Sequence, residues 1–124
     1  MNRLLIVDDS KLMRDMVAAC LRPLGEVAFE FAATGLEAIE RLALAGFDLV
    51  VLDLNMPDVG GLEVIEFVRA QDQLRALPIL VVTTRGDDDH RTTALDAGAT
   101  SFLAKPFGPE ALTRRVRELL DAER

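Results

Sequence analysis

Residues 47–57 read FDLVVLDLNMP, an aliphatic segment that ends at a carboxylate. The uninterrupted run LVVL at residues 49–52 is typical of a strand that is buried on both faces of a parallel sheet. Asp53 ends this run, and Pro57 prevents the strand from continuing. Because open α/β folds bind their ligands at the carboxyl ends of such strands, we expect Asp53 at the ligand-binding edge of a sheet.

The composition fits a globular protein. The sequence has 124 residues, of which 50% are hydrophobic and 28% charged, enough for one hydrophobic core. The net charge of −7 argues against nucleic acid and anionic membranes as direct partners. The single cysteine, Cys20, cannot form an internal disulfide, which favours a cytoplasmic location. Residues 4–7 are too short for the core of a signal peptide, and no apolar run approaches the roughly 20 residues of a membrane span.

Four further segments predict strands around residues 49–52. Residues 27–31 (VAFEF) alternate in hydrophobicity, which indicates a half-exposed strand at the sheet edge. The other three are aliphatic runs at residues 4–7 (LLIV), 78–84 (PILVVTT) and 100–104 (TSFLA). Helical spacing of apolar residues follows every strand, which predicts an α/β fold with a parallel sheet covered on both faces and a single domain over residues 1–124.

Local signals mark the helix ends. Ser10 is the predicted N-cap of the first helix and Gly25 its end, and Thr34 and Glu37 have the spacing of a capping box for the second. The later helices are expected to begin near Gly60 and Gly61, after residues 85–87 and at Pro109. Expected buried residues are Leu12, Met13, Met16, Val17, Cys20, Leu21 and Leu24 in the first helix and Leu36, Ile39, Leu42 and Ala43 in the second. We expect the fourth helix, poor in apolar residues, to be the least firmly packed, and the arginines of the last helix to face solvent.

The strand ends carry the chemistry-bearing residues, which are Asp8, Asp9, Asp53, Thr83 and Lys105. If the strands are parallel, these side chains meet at one edge of the sheet. Three crowded carboxylates repel one another and favour a hard cation such as Mg²⁺. A lysine and a threonine hydroxyl beside them suit a phosphoryl oxyanion. The pattern therefore predicts phosphoryl transfer to a carboxylate, with Asp53 as the nucleophile and Lys105 and Thr83 as supporting groups.

Four motifs in this order resemble the receiver domain of two-component response regulators: VDDS at residues 7–10, LDLNMP at 52–57, VT at 82–83 and FLAKPF at 102–107. The resemblance extends over the whole chain. It implies a flavodoxin-like (βα)5 three-layer sandwich whose five parallel strands have the order 2-1-3-4-5.

The resemblance also implies a role for each acidic residue. Asp53 would be the phospho-acceptor, supplied by a histidine kinase. Asp9 and Asp53 would bind Mg²⁺ directly, Asp8 mainly through water, and Asn55 through its backbone carbonyl. Asn55 and Arg85 would flank the path of the water that removes the phosphoryl group.

The switch residues follow from the same resemblance. Thr83 would move inward on phosphorylation, and the ring of Phe102 would turn from exposed to buried with it. Lys105 would contact the phosphoryl group, and its peptide bond to Pro106 would be cis.

We expect a stand-alone phosphorylation switch and not an enzyme. With no output domain in the sequence, its output would be a contact with a target protein through the face formed by the fourth helix, last strand and last helix. Candidate residues of this face are Arg91, Leu95, Phe102, Ala104 and Arg115. The opening residues resemble chemotaxis-type regulators, and we expect a monomer or a weak dimer.

Three alternatives remain at this point. A phosphorelay intermediate would pass the group to another histidine. A phosphohydrolase of the haloacid dehalogenase class would need a second acid two residues after its nucleophile on the first strand, whereas Asp8 and Asp9 are adjacent. A module that never takes phosphate should have lost one of the site residues, and the set is complete.

Overall fold

The computed structural model describes residues 1–56, 59–84 and 87–122, so Pro57, Arg85 and Gly86 of the sequence analysis lie outside the described residues. All strand pairs of the sheet are parallel, and the strand order is β2-β1-β3-β4-β5, which confirms the predicted 2-1-3-4-5 order. The strands are β1 (Asn2–Val7), β2 (Val27–Ala32), β3 (Leu49–Leu52), β4 (Ile79–Thr83) and β5 (Ser101–Ala104).

A helix follows each strand, as predicted. The helices are α1 (Lys11–Leu21), α2 (Gly35–Leu44), α3 (Gly61–Ala70), α4 (Asp88–Ala97) and α5 (Pro109–Ala122). Two single 3₁₀ turns, Arg22–Leu24 and Asp72–Leu74, extend the loops after α1 and α3. In the part of the chain that the structure describes, none of the helices combines the length and hydrophobicity that a bilayer crossing requires.

The sheet separates two hydrophobic cores. Val50 and Leu52 of β3 face the core that α2, α3 and α4 cover, whereas Leu49 and Val51 face the core under α1 and α5. Successive strand residues point to opposite faces, so both faces of β3 must be apolar. Full burial of each such side chain contributes about 1.5–3 kcal/mol. This is why the run at residues 49–52 has no polar member.

The predicted helix caps are present at α1 and α2. Ser10 Oγ accepts a hydrogen bond from the Met13 N–H at 3.2 Å, and Thr34 Oγ1 accepts one from the Glu37 N–H at 3.0 Å. The Glu37 carboxylate accepts from the Ala33 N–H at 2.8 Å, one residue earlier than in the usual capping box. Both helix starts are therefore satisfied by side chains.

Some apolar helix residues that the sequence analysis placed in the core are exposed. They are Leu12 (70% exposed), Met16 (48%), Leu36 (51%) and Ala43. Met16 precedes the buried Val17 by one residue, and Ala43 follows the buried Leu42 by one. Successive residues of a helix point about 100° apart, so a side chain next to a buried one points away from the narrow helix face that contacts the sheet.

The two edge strands of the sheet differ in how they are shielded from solvent. β2 forms one edge, as predicted, and most of its side chains are partly exposed. At the other edge Arg115 Nη1 donates hydrogen bonds to Ser101 Oγ at 2.9 Å and to the Phe102 carbonyl at 2.7 Å. The prediction that all α5 arginines face solvent is therefore wrong for Arg115, because its guanidinium binds polar groups of the edge strand.

Candidate functional site

Asp53 lies at the carboxyl end of β3, between the ends of β1 and β4. Its N–H donates to the Val7 carbonyl at 3.0 Å, which ties it to the end of β1. Only 5% of Asp53 is exposed, and its Oδ1 accepts the Asn55 N–H at 3.2 Å. The central strand therefore presents one buried carboxylate at its carboxyl end.

The acidic pair after β1 lies beside Asp53. One carboxylate oxygen from each of Asp8, Asp9 and Asp53 lies within 4.8 Å of the others. Asp8 is 3% exposed and Asp9 is exposed. Parallel pairing of β1 with β3 brings these residues together, as the sequence analysis expected.

Lys105 reaches this acidic cluster from the end of β5. Its Nζ lies 2.9 Å from Asp8 Oδ2 and 3.8 Å from Asp53 Oδ2, and its side chain is only 10% exposed. The Lys105 N–H donates to the Thr83 carbonyl at 2.7 Å. The Lys105–Pro106 peptide bond is cis, as the resemblance implies. One ammonium therefore stands between two buried carboxylates.

Thr83 completes this group of residues at the end of β4. It is fully buried, and its Oγ1 accepts a hydrogen bond from Asn55 Nδ2 at 3.3 Å. Asn55 itself is exposed and therefore links the loop after β3 to the end of β4. The structure thus brings all five predicted strand-end residues to one edge of the sheet. This acidic edge consists of Asp8, Asp9, Asp53, Thr83 and Lys105.

The charge state of Asp53 reflects opposing influences. Burial raises the pKa of its carboxyl above the ordinary value, and the negative charges of Asp8 and Asp9 act in the same direction. The Asn55 N–H and the Lys105 ammonium lower this pKa, but they do not offset the burial. Without a further cation, the negative charge of ionised Asp53 therefore lowers the free energy of unfolding of the protein.

The donor set of the cluster fits a hard divalent cation. Carboxylate oxygens from three aspartates converge, and such oxygens are the ligands that Mg²⁺ prefers. Asp8 Oδ1 already accepts the Ser10 N–H at 3.0 Å, and Asp8 Oδ2 accepts from Lys105. Both carboxylate oxygens of Asp8 thus accept hydrogen bonds, whereas Asp53 accepts one, on Oδ1.

The predicted output residues lie on α4, β5 and α5, and one of them, Ala104, pairs with Thr83 and directly precedes Lys105. Arg91, Leu95 and Ala104 are exposed. Arg115 is partly buried by its hydrogen bonds to β5, and Phe102 is only 8% exposed. The buried ring position, which the resemblance associates with the phosphorylated form, is thus the one that this structure holds.

One contact of the acidic edge was missed by the sequence analysis. Arg14 Nη1 donates to the main-chain carbonyl oxygen of Asp8 at 2.7 Å. Arginine on a helix is usually a solvated residue, so its type and position carry no signal for this contact.

A comparison with known families identifies one family model over most of the chain. The model described as the response regulator receiver domain matches residues 4–117. This span begins within β1 and ends within α5, so it includes every residue of the acidic edge.

Individual relatives agree with that match. The chain is 37% identical over 119 residues to the chemotaxis protein CheY1 of Helicobacter pylori strain J99, covering 95% of this chain and 96% of the relative. The structure of the chemotaxis response regulator CheY4 of Vibrio cholerae is similar with a TM-score of 0.89 and 38% identity, covering 96% of this chain and 98% of that one. The receiver domain of the sensor histidine kinase PA1611 of Pseudomonas aeruginosa has a TM-score of 0.88 and 28% identity over 97% of this chain and 98% of its own, and its structure is described with a magnesium ion coordinated in the active site cleft.

Proposed function

Because this chain belongs to the response regulator receiver domain family, we propose that Asp53 accepts a phosphoryl group from a histidine kinase and thereby switches a protein-binding face. Residues 1–124 act in this proposal as one receiver domain in the cytoplasm, a signalling switch without an enzymatic substrate of its own. The similarity to curated chemotaxis proteins supports a chemotaxis-type output over a phosphorelay role.

The observation that carries this proposal is the placement of the Asp53 carboxylate. It is buried, it lies beside two further carboxylates, and a lysine ammonium stands 3.8 Å from its Oδ2. The Asn55 N–H and Lys105 lower the pKa of Asp53 less than burial raises it, so the pKa of this carboxyl stays above its ordinary value. A buried carboxyl with a perturbed pKa beside a specific charged partner is typical of functional sites.

The proposed transfer is a displacement at phosphorus. A carboxylate oxygen of Asp53 forms a bond to phosphorus, and the bond from phosphorus to the ring nitrogen of the kinase histidine breaks, so the imidazole leaves and takes up a proton. Lys105 would move its contact from Asp8 to the incoming phosphoryl oxygens, and the Thr83 hydroxyl would donate to another. Later attack by water on the acyl phosphate releases inorganic phosphate and restores Asp53.

The proposal includes Mg²⁺, which Asp9 and Asp53 would hold directly, with Asp8 and the Asn55 carbonyl as supporting ligands. When bound, the cation neutralises negative charge on the carboxylates and on the phosphoryl oxygens. The all-oxygen donor set supports this choice. So does the magnesium in the cleft of the related receiver domain from Pseudomonas aeruginosa.

The target would bind the α4–β5–α5 face. Its exposed members Arg91, Leu95 and Ala104 would form the contact, while Phe102 and Arg115 would transmit the change from within. Thr83 is the connection in this scheme, because it ends β4 directly before the loop to α4 and pairs with Ala104 of β5.

The test is phosphorylation by acetyl phosphate with Mg²⁺, followed by intact-mass spectrometry. The wild-type protein should gain the mass of one phosphoryl group, and Asp53→Asn should gain none, because an amide is not a nucleophile toward phosphorus. Asp121→Asn, at an exposed position near the end of α5, is the matched control and should behave like the wild type. Phosphorylation of the Asp53→Asn protein would show that another residue is the acceptor. Repeated turnover of a small phosphomonoester would support the phosphohydrolase alternative.

A further inference from the structure

We propose that Arg14 is a positioning residue for the divalent cation of the acidic edge, an inference that rests on the proposed function. Arg14 is the fourth residue of α1, and its Nη1 donates to the Asp8 carbonyl oxygen at 2.7 Å. The side chain is partly buried and reaches back past the start of its own helix. It touches no reacting atom, so its effect must pass through Asp8 and Asp9.

The carbonyl that Arg14 binds belongs to the peptide between Asp8 and Asp9. A peptide unit is planar, so a hydrogen bond that holds this carbonyl also holds the direction in which the chain enters Asp9. The Ser10 N–H donates to Asp8 Oδ1 and so holds the next peptide, between Asp9 and Ser10, whereas the Met13 N–H donates to Ser10 Oγ at the helix cap. Arg14 is thus the side chain that orients this peptide.

Asp9 depends on this support more than its neighbours do. It is exposed, and from the residues that the structure describes no hydrogen bond reaches its carboxylate. Asp8 and Asp53 are buried and hydrogen-bonded, so their positions are set independently. The two peptide planes that flank Asp9 therefore set where this ligand lies, and Arg14 holds the first of them.

The charge of Arg14 acts in the opposite direction, because a guanidinium near the cluster repels a cation. The guanidinium is partly exposed, so solvent and salt screen this repulsion. Loss of a hydrogen bond that orients a metal ligand typically weakens metal affinity by roughly 10–100-fold. We therefore expect the positioning effect to dominate.

The experiment is a calorimetric titration with Mg²⁺ alone at fixed ionic strength. Arg14→Met removes the donors and the charge but keeps an unbranched side chain of similar helix propensity. It should bind Mg²⁺ about tenfold more weakly than the wild type. Arg14→Lys keeps a cationic donor and should recover part of the affinity. Lys11→Gln removes a charge from the same turn of α1 and is the matched control, expected to bind no more weakly than the wild type.

The outcomes separate this inference from the proposed function. Thermal unfolding of each variant reports any general loss of stability. A lower melting temperature with unchanged Mg²⁺ affinity would overturn the inference, because a merely structural arginine gives that result. Equal or tighter binding by Arg14→Met would also overturn it and leave the proposed function standing. Absence of Mg²⁺ binding by the wild type would defeat the proposed metal site and the inference with it.

Discussion

At the scale of single residues, Asp53 shows a conflict between function and stability. A nucleophilic carboxylate must be ionised, yet burial raises its pKa and two neighbouring acids add to the effect. Lys105 at 3.8 Å offsets part of this cost. The folded protein therefore carries an unfavourable charge that a bound cation would relieve.

This conflict predicts how stability depends on pH. Because its pKa is raised, folded Asp53 binds a proton more strongly than unfolded Asp53, whose pKa is about 3.9. The contribution of Asp53 to the free energy of unfolding therefore falls as the pH rises from about 4 through the raised pKa. In the absence of Mg²⁺, Asp53→Asn should melt at a higher temperature than the wild type at pH 7, and the difference should shrink as the pH falls through the raised pKa and be small below about pH 4.

Scanning calorimetry in chelator, at several pH values, measures this effect. Asp121→Asn is again the control, since its carboxylate is exposed. An Asp53→Asn variant that is less stable than the wild type at pH 7 would mean that the carboxylate is a net stabilising group.

At the scale of elements, the loop after β3 packs against the start of α2. Gly35 is buried at the first position of α2, and a Cβ there would overlap the carbonyl oxygen of Val59 and lie 2.8 Å from its carbonyl carbon. The close approach of the two backbones thus requires a glycine. This contact helps to set the loop that carries Asn55.

Gly35→Ala should therefore displace the loop and disturb the site. We expect a loss of about 1–3 kcal/mol in the free energy of unfolding, as for other overpacked positions. Phosphorylation by acetyl phosphate should also slow. Gly46→Ala is the matched control, because nothing lies within 4 Å of the added Cβ, and it should have little effect. Denaturant unfolding and phosphorylation rates measure both, and equal behaviour of the two variants would show that the loop has room to move.

At the scale of the whole molecule, the acidic edge joins elements that are distant in sequence. Asp8 follows β1, Asp53 follows β3 and Lys105 follows β5, so one site couples three strands. A ligand that binds only this folded arrangement stabilises the entire domain by mass action.

Mg²⁺ should therefore raise the melting temperature of the whole protein. At a concentration ten times the dissociation constant, the gain is about 1.4 kcal/mol, or a few degrees. Chelator should abolish the shift, and Asp9→Asn, which removes a proposed ligand, should reduce it strongly. An equal shift from NaCl at matched ionic strength would identify general charge screening as the cause.

Much of the fold and site follows from residue patterns. The aliphatic runs predict the five strands, and the carboxylates and lysine at their ends predict the common edge, because parallel strands have their carboxyl ends together. The burial of Leu12 and Leu36 was predicted wrongly, since periodicity defines a helical face only to within about one residue, or 100°.

Local sequence by itself determined which segments are strands and helices, how α1 and α2 begin, and which side chains stand at the strand ends. These properties depend on side-chain alternation and on hydrogen bonds between near neighbours. Tertiary structure alone decided that Lys105 pairs with Asp8, that Arg14 holds the Asp8 carbonyl and that Arg115 binds the edge strand. Those contacts depend on the angles and distances at which separate elements pack, and no pattern within one segment encodes them.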